Sequence, residues 1–221
     1  MFGKSVPLKT LGSAQGVEEM RRLCAKILTG SEKQHSTVIM VSSCDRGEGT
    51  TTVATNLART FVQEAGGQVL LIDANLRHPA LHTLFGFDME PGLSDVTRNG
   101  TQVKDAIQES KADSLHVLSA GTQIAYPGLV FNSPAMDSCL EQIRKKFRVI
   151  VLDAPPIVPY SDSLYLAKKA DIVLLVIEAE HTRWEVAQEA IQKLDYVGVQ
   201  LYGTILNKKR FYIPSFLYRA L

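Results

Sequence analysis

Six short apolar runs are the sequence feature that most limits how this chain can fold. They are rich in Val and Ile and mostly lack alternating polar residues, which is the pattern of strands buried on both faces of a sheet. A helical pattern lies between each pair of successive runs. This alternation predicts a three-layer α/β fold, with a mainly parallel β-sheet flanked by helices. The runs are 37–41, 69–72, 115–118, 149–152, 172–177 and 201–206, and the helical candidates lie near 51–64, 102–109, 134–146, 160–169 and 182–196.

Periodicity divides the chain into three parts. Residues 1–14 contain Gly and Pro without a regular pattern and predict a flexible arm. An amphipathic helix over 17–28 then opens one domain that we expect to span 15–210, since no repeat or low-complexity tract interrupts it. Residues 211–221 form an aromatic tail.

Composition excludes several classes of function. The chain has 221 residues, 45% of them hydrophobic, and a formal net charge of +1, so a globular protein is expected and nucleic acid is not the expected partner. Cys24, Cys44 and Cys139 show no metal-binding or CxxC spacing, which suits a reducing cytoplasm. No apolar run approaches the roughly 18 to 20 residues that span a bilayer. We expect a cytoplasmic protein, and if it works at a membrane, something else must take it there.

The segment 43–52, SCDRGEGTTT, follows the first apolar run and precedes a helical one. Gly47 and Gly49 allow a tight turn that directs backbone N–H groups toward an anion, and the next helix adds its positive end. Thr51 takes the Ser/Thr position whose hydroxyl binds Mg2+ in a P-loop. However, Cys44 and Thr50 replace the first Gly and the Lys of G-x-x-x-x-G-K-[ST]. The context favours an anion site over an ordinary turn.

Two further strand ends carry carboxylates. Asp73 follows the second apolar run, where it can orient a metal-bound water or act as a base, or can simply cap the next turn. Asp153 follows the fourth run in the form of a Walker B strand, whose carboxylate supports Mg2+ through coordinated water. Because ligands bind at the carboxyl ends of parallel strands, these residues and the glycine-rich loop are expected to meet.

The order GEGTTT, VLLIDANLRHP, GLSDV, VIVLDAPP and ILNK resembles the cytoplasmic domain of bacterial tyrosine kinases (BY-kinases), which are MinD/ParA-like P-loop ATPases. The resemblance covers roughly residues 15 to 210. It implies binding of ATP or ADP with Mg2+ and autophosphorylation of a C-terminal tyrosine cluster. It also implies a role in capsule or exopolysaccharide assembly, together with a membrane chain-length-determinant partner at the inner face of the cell membrane.

The resemblance also assigns roles to residues. Asp73 lies in Walker A′ and Asp153 in Walker B, and both would serve catalysis and, with Thr51, hold Mg2+ partly through water. Asn207 resembles the residue that reads the adenine base, although a turn or helix cap is an alternative. Glu18 and Arg21 fit the start of a Glu-x-x-Arg-x-x-Arg helix that joins subunits into a homo-oligomer. The residues that would wrap the phosphates are Gly47, Glu48, Gly49, Thr50, Thr51 and Thr52.

Two departures from the family affect phosphoryl transfer. Thr50 replaces the Walker A lysine, which supplies positive charge to the phosphoryl oxygens. Asn75 replaces the second Asp of Asp-x-Asp-x-Arg and brings no negative charge. Arg46 and Arg77 are candidate substitutes for the missing cation, and Arg77 is a candidate catalytic residue, although a solvated surface charge is the simpler interpretation of Arg46. These two substitutions predict that the chain still binds nucleotide but transfers the phosphoryl group more slowly.

Two more departures concern assembly. Cys24 replaces the final Arg of the oligomerisation helix, which puts a closed ring in doubt. The tail contains only Tyr212 and Tyr218, not a dense cluster, and its aromatic residues can instead pack on the sheet or dock a partner. An engineered change at Thr50 is an open alternative, but it would not account for these other differences.

Three functions remain compatible with the sequence. The first is a BY-kinase-like pseudokinase of the polysaccharide machinery that uses nucleotide binding as a switch. The second is an active tyrosine autokinase in which another cation replaces the lysine. The third is a non-catalytic scaffold that binds the membrane partner.

Overall fold

The computed structural model describes residues 14–30, 36–66, 68–110 and 114–209. Residues 1–13 of the arm predicted over 1–14, and Tyr212 and Tyr218 of the predicted tail, lie outside the described residues, while Ala14 begins a helix. The helices are α1 Ala14–Gly30, α2 Thr50–Ala65, α3 Leu81–Phe85, α4 Leu93–Arg98, α5 Val103–Ala106, α6 Pro127–Phe131, α7 Pro134–Arg144, α8 Asp162–Ala167 and α9 Trp184–Tyr196. The strands are β1 Thr37–Ser43, β2 Val69–Asp73, β3 Ile107–Ser110, β4 Leu115–Leu118, β5 Val149–Asp153, β6 Ile172–Glu178 and β7 Gly203–Asn207.

The strands form one sheet in the order β3-β4-β2-β5-β1-β6-β7. Every neighbouring pair is parallel except β3 with β4. The predicted fold, a mainly parallel sheet between layers of helices, is confirmed. Because β1, β2 and β5 are adjacent and parallel, the residues that follow them emerge at the same edge of the sheet.

Burial on both faces explains why the central strands read as continuous apolar runs. Along β1, Val38 and Met40 pack into the core on one face, while Ile39 and Val41 pack into the core on the other. Helices α1 and α2 cover the second of these cores, and helices that include α7 and α9 cover the first. A fully buried aliphatic side chain contributes roughly 1.5–3 kcal/mol, so both faces matter for stability.

One prediction of secondary structure is wrong. A single helix was expected near 102–109, but α5 ends at Ala106 and Ile107–Ser110 forms an edge strand antiparallel to β4. The free edge of β4 offers hydrogen-bond partners that the isolated periodic pattern does not reveal, and this tertiary pairing outweighs local propensity. The unpredicted helices α3, α4 and α6 have only five or six residues each, too few to show a helical period.

Two smaller observations complete the fold. Strand β7 begins at Gly203, two residues later than the apolar run at 201–206 suggested. Within the part of the chain that the structure describes, no helix combines the length and apolar character needed to cross a bilayer.

Candidate functional site

The sheet brings the three predicted strand ends together. Asp73 at the end of β2 and Asp153 at the end of β5 are paired in register across the two strands. Val41 of β1 is the register partner of Asp153 on its other side, and the glycine-rich loop 44–49 follows that strand. The expected meeting of loop and carboxylates therefore occurs.

The two carboxylates are buried with unused hydrogen-bonding capacity. Asp73 is 0% and Asp153 1% exposed. Asp73 Oδ2 accepts hydrogen bonds from the backbone N–H groups of Ala80 and Leu81, both at 2.9 Å, at the start of α3. Among the described residues, Asp73 Oδ1 and both carboxylate oxygens of Asp153 find no hydrogen-bond partner. Asp73 thus caps a helix with one oxygen, as the alternative interpretation suggested, and keeps the other oxygen available.

Burial makes it energetically unfavourable for both carboxyl groups to be ionised. Desolvation raises the pKa of Asp73 to about 6, although the N–H groups of Leu81 and Ala80 act in the opposite direction. Desolvation and then the charge of Asp73 raise the pKa of Asp153 well above its usual range. Unpaired buried charges are rarely kept unless a cation compensates them. Carboxylate and hydroxyl oxygens are the ligands that Mg2+ prefers, and Mg2+ uses few protein ligands.

The loop itself has the backbone geometry of an anion cradle. Gly47 and Gly49 adopt left-handed conformations with φ of 81° and 91°, which side chains other than hydrogen rarely allow. No side chain caps the N-terminus of α2. Among the described residues, none of the backbone N–H groups of 47–52 donates a hydrogen bond within the protein. These donors and the positive end of α2 point to an anionic ligand.

The side chain of Glu48 supports the loop and does not face a ligand. It is 3% exposed, and its Oε2 accepts hydrogen bonds from the backbone N–H groups of Cys44 at 2.7 Å and Asp45 at 3.1 Å. The Thr182 hydroxyl donates to Oε1. Of the predicted phosphate-wrapping residues, Glu48 therefore offers its backbone only. Thr182 has no sequence signal that links it to the loop, because it lies far away in sequence.

The end of β7 fastens the loop from the other side. Asn207, which is buried, donates from Nδ2 to the Glu48 carbonyl oxygen at 2.8 Å. Lys208 donates from Nζ to the Gly47 carbonyl oxygen at 2.6 Å and pairs with Glu178 at 2.9 Å. Asn207 thus stands beside the loop, where its amide is engaged with backbone. Its role in reading a base stays a prediction, and the contact of Lys208 was not predicted.

Thr50 is the first residue of α2 and brings no charge to the cradle. Of the two proposed substitute cations, Arg46 lies in the loop and Arg77 follows β2. Both guanidinium groups lie over the ring of Tyr160, and Arg77 Nε also pairs with Asp162 at 2.5 Å. Sequence analysis did not single out Tyr160 or Asp162.

Asn75 has a local role. Its Oδ1 accepts the backbone N–H of His78 at 3.3 Å, which closes the turn after β2. An aspartate would accept the same bond, so this contact alone does not explain the asparagine.

The proposed subunit-contact helix packs within the monomer. Arg21 pairs with Glu64 of α2 at 3.6 Å, and Glu18 pairs with Arg22 at 3.4 Å. Cys24 is 0% exposed, so this position faces the core and offers nothing to a neighbouring molecule. Oligomerisation through α1 stays a prediction.

Comparison with known proteins identifies the family. A family model described as an AAA domain matches residues 36–205. The chain is 33% identical over 193 residues to the tyrosine-protein kinase YwqD of Bacillus subtilis, in a match that covers 87% of this chain and 81% of YwqD. The chain belongs to the bacterial tyrosine kinase family. The tyrosine-protein kinase CpsD of Streptococcus pneumoniae is 29% identical, and this match covers 86% of the chain and 83% of CpsD.

Other members of the family are longer. The match to the tyrosine-protein kinase Ptk of Acinetobacter johnsonii is 25% identical and covers 92% of this chain but 28% of Ptk. Our protein therefore spans most of YwqD and CpsD, but only about a quarter of the length of Ptk.

Solved structures agree with this family. The crystal structure of the VpsO kinase domain is 34% identical with a TM-score of 0.78, and the match covers 86% of this chain and 93% of that domain. The cell division ATPase MinD of Pyrococcus furiosus is 25% identical with a TM-score of 0.66, over 84% of this chain and 78% of MinD. The resemblance to BY-kinases and to MinD-like P-loop proteins is confirmed.

Proposed function

We propose that this member of the bacterial tyrosine kinase family binds ATP or ADP with Mg2+ as a regulatory switch, and that its phosphoryl transfer is weak or lost. The observation that carries this proposal is the juxtaposition of two unsatisfied groups. Asp73 and Asp153 present buried oxygens without partners, and the adjoining loop presents unpaired N–H donors. A Mg2+–phosphate group would satisfy both, since it carries a cation on one side and anionic oxygens on the other.

The loss of transfer is inferred from charge. Mg2+, when bound, supplies positive charge to phosphate oxygens, but the P-loop lysine that would add to it is Thr50 here. Backbone N–H groups suffice for binding, whereas the rate depends on charge that stabilises the transition state. Asn75 removes a second charged group that the family pattern places after β2.

The process and the partner are inferred from relatives. A relative from Klebsiella pneumoniae is named as a tyrosine kinase in the cps region, and CpsD is a further relative. These names support a role in capsule or exopolysaccharide assembly. The family resemblance further leads us to propose a cytoplasmic location, with a membrane chain-length-determinant protein that recruits this protein to the inner face of the membrane. In this account the nucleotide state controls the contact with that partner.

Calorimetric titration with Mg-ADP and Mg-ATP tests the binding. We expect one saturable site that requires Mg2+ and is lost in EDTA. Thr50→Lys should strengthen Mg-ATP binding by about tenfold, the lower end of what a charge-assisted hydrogen bond contributes. Absence of binding at millimolar nucleotide would overturn the proposal.

Mass spectrometry of the expressed protein tests the loss of transfer. We expect no phosphotyrosine at Tyr212 or Tyr218 in the wild type. Phosphotyrosine that disappears in Asp153→Ala would instead establish an active autokinase.

A further inference from the structure

Three loops at the carboxyl edge of the sheet bring two arginines to one aromatic ring. Arg46 comes from the loop after β1, Arg77 from the loop after β2, and Tyr160 from the segment after β5. The guanidinium carbons of Arg46 and Arg77 lie 5.1 Å and 4.6 Å from the centre of the Tyr160 ring. Both distances are within the roughly 6 Å at which a cation is attracted to an aromatic face. We call Arg46 and Arg77 the arginine pair.

The charge of the arginine pair is only partly compensated. Arg77 Nε pairs with Asp162, a carboxylate that is itself buried. Arg46 forms no ion pair with any carboxylate of the described residues, and the neighbouring Asp45 carboxylate accepts the backbone N–H of Arg46. Two like charges held against one ring repel each other unless an anion joins them. One positive charge therefore remains available at the edge where the nucleotide site lies.

The ring contact also leaves hydrogen-bond donors unused. A guanidinium that lies over an aromatic face is attracted through the ring's electrons and keeps its N–H groups for other acceptors. Arg77 uses Nε for Asp162, which leaves its two terminal nitrogens. The Arg46 side chain donates no hydrogen bond to any residue that the structure describes, so its five N–H donors remain. Guanidinium groups match the geometry of phosphate oxygens well.

We propose that the arginine pair, aligned by Tyr160, binds the terminal phosphate of a Mg-nucleoside triphosphate and so distinguishes it from a diphosphate. This inference rests on the proposed nucleotide function and adds a specificity to it. ATP has a third phosphate that ADP lacks, and the arginine pair would hold that phosphate when ATP is bound at the P-loop. The site then distinguishes ATP from ADP, which is the property that a nucleotide-controlled switch needs.

The sharpest variant is Arg46→Gln, because this exposed side chain has no ion pair among the described residues to lose. Calorimetry with Mg-ATP and Mg-ADP should show that the wild type prefers ATP. Arg46→Gln should lower ATP affinity about tenfold, as loss of a charge-assisted hydrogen bond does, while ADP affinity stays as in the wild type. Tyr160→Leu should reduce the preference for ATP, and Tyr160→Phe, which keeps the ring, should retain it.

Arg148→Gln is the matched control, because Arg148 precedes β5 at the opposite edge of the sheet. It should bind both nucleotides as the wild type does. If Arg46→Gln keeps the wild-type ratio of ATP to ADP affinity, or loses both nucleotides equally, the arginine pair does not read the terminal phosphate. Intact ADP binding in that experiment leaves the proposed function standing, whereas a wild type that binds neither nucleotide overturns both.

Discussion

The two halves of the candidate site differ in burial and in the charged side chains that they contain. The metal half consists of Asp73 and Asp153, which end core strands and are almost fully buried. The phosphate half consists of the loop at 44–49 and the start of α2, where Arg46 is exposed and Thr50 partly so. The metal half keeps costly buried carboxylates with unused oxygens, while the phosphate half has Thr50 where a P-loop has its lysine. Buried, uncompensated carboxylates lower the stability of the fold, and neutral side chains would be favoured there if stability alone mattered. Their presence therefore indicates a ligand.

The largest effect is expected in the metal half. Asp153→Asn removes a carboxylate that would support Mg2+, and affinity for Mg-ADP should fall by about tenfold to a hundredfold. Calorimetry in excess Mg2+ measures this change. Asp137→Asn, on an exposed face of α7, is the control and should bind normally. Wild-type affinity in Asp153→Asn would remove the metal half from the account.

Without metal, the same substitution should stabilise the protein. A carboxyl group whose folded pKa is raised contributes stability below its unfolded pKa of about 4, and loses it as pH rises through the folded value. For Asp73 that value is about 6, so the free energy of unfolding in EDTA should fall from about pH 4 to above pH 6. Asp153→Asn removes one charge of the pair. It should therefore raise the free energy of unfolding in EDTA by about 2 kcal/mol at neutral pH.

Urea denaturation in EDTA at several pH values measures this effect. The difference between Asp153→Asn and wild type should shrink as pH falls toward 4, since both carboxyl groups are then protonated in the wild type as well. A pH-independent difference would mean that the two charges do not oppose folding.

In the phosphate half, two glycines give a matched pair. An added Cβ at Gly49 would lie 2.3 Å from Nδ2 of Asn207, whereas one at Gly47 would meet no atom of the described residues within 4 Å. Both residues have positive φ, so each alanine costs backbone strain of about 1 kcal/mol. Only Gly49→Ala should add a clash, and it should weaken nucleotide binding and stability more than Gly47→Ala.

A double-mutant cycle separates the clash from the strain. Asn207→Ala removes the clashing amide, so it should restore part of the stability of Gly49→Ala and none of that of Gly47→Ala. Thermal unfolding measures all five variants against the wild type. If the effects of Asn207→Ala and Gly49→Ala on the unfolding temperature are additive, the added Cβ at residue 49 does not clash with Asn207.

The smallest effect concerns the thiols. Burial raises the pKa of Cys44 to about 12, with Glu48 and Asp45 adding to it, and burial raises the pKa of Cys24 to about 12 and of Cys139 to about 11. The thiolate is the reactive form, so all three should react slowly with a disulfide reagent in the native state and quickly in denaturant. If mass spectrometry shows that Cys44 reacts quickly with the reagent in the native state, the loop of the phosphate half exposes this thiol by frequent local unfolding.

The sequence predicts the metal half better than the phosphate half, for a physical reason. Asp73 and Asp153 follow apolar runs that parallel pairing aligns, so strand order alone brings them together. The supports of the loop are side chains from distant segments, such as Thr182, and no local period points to them. Tyr160 was missed for the same reason, since only the fold places its ring beside Arg46 and Arg77. The edge strand β3 was read as helix because the pattern of its own four residues does not show their antiparallel pairing with β4, the next strand along the chain.

One measurement addresses binding and transfer together. Equilibrium dialysis against γ-labelled Mg-ATP, followed by analysis of the retained label, reports both how much nucleotide binds and what becomes of its terminal phosphate. We predict that label is retained in a Mg2+-dependent manner, as intact ATP. Failure to retain label at millimolar nucleotide would contradict binding, and label recovered on tyrosine would contradict the loss of transfer.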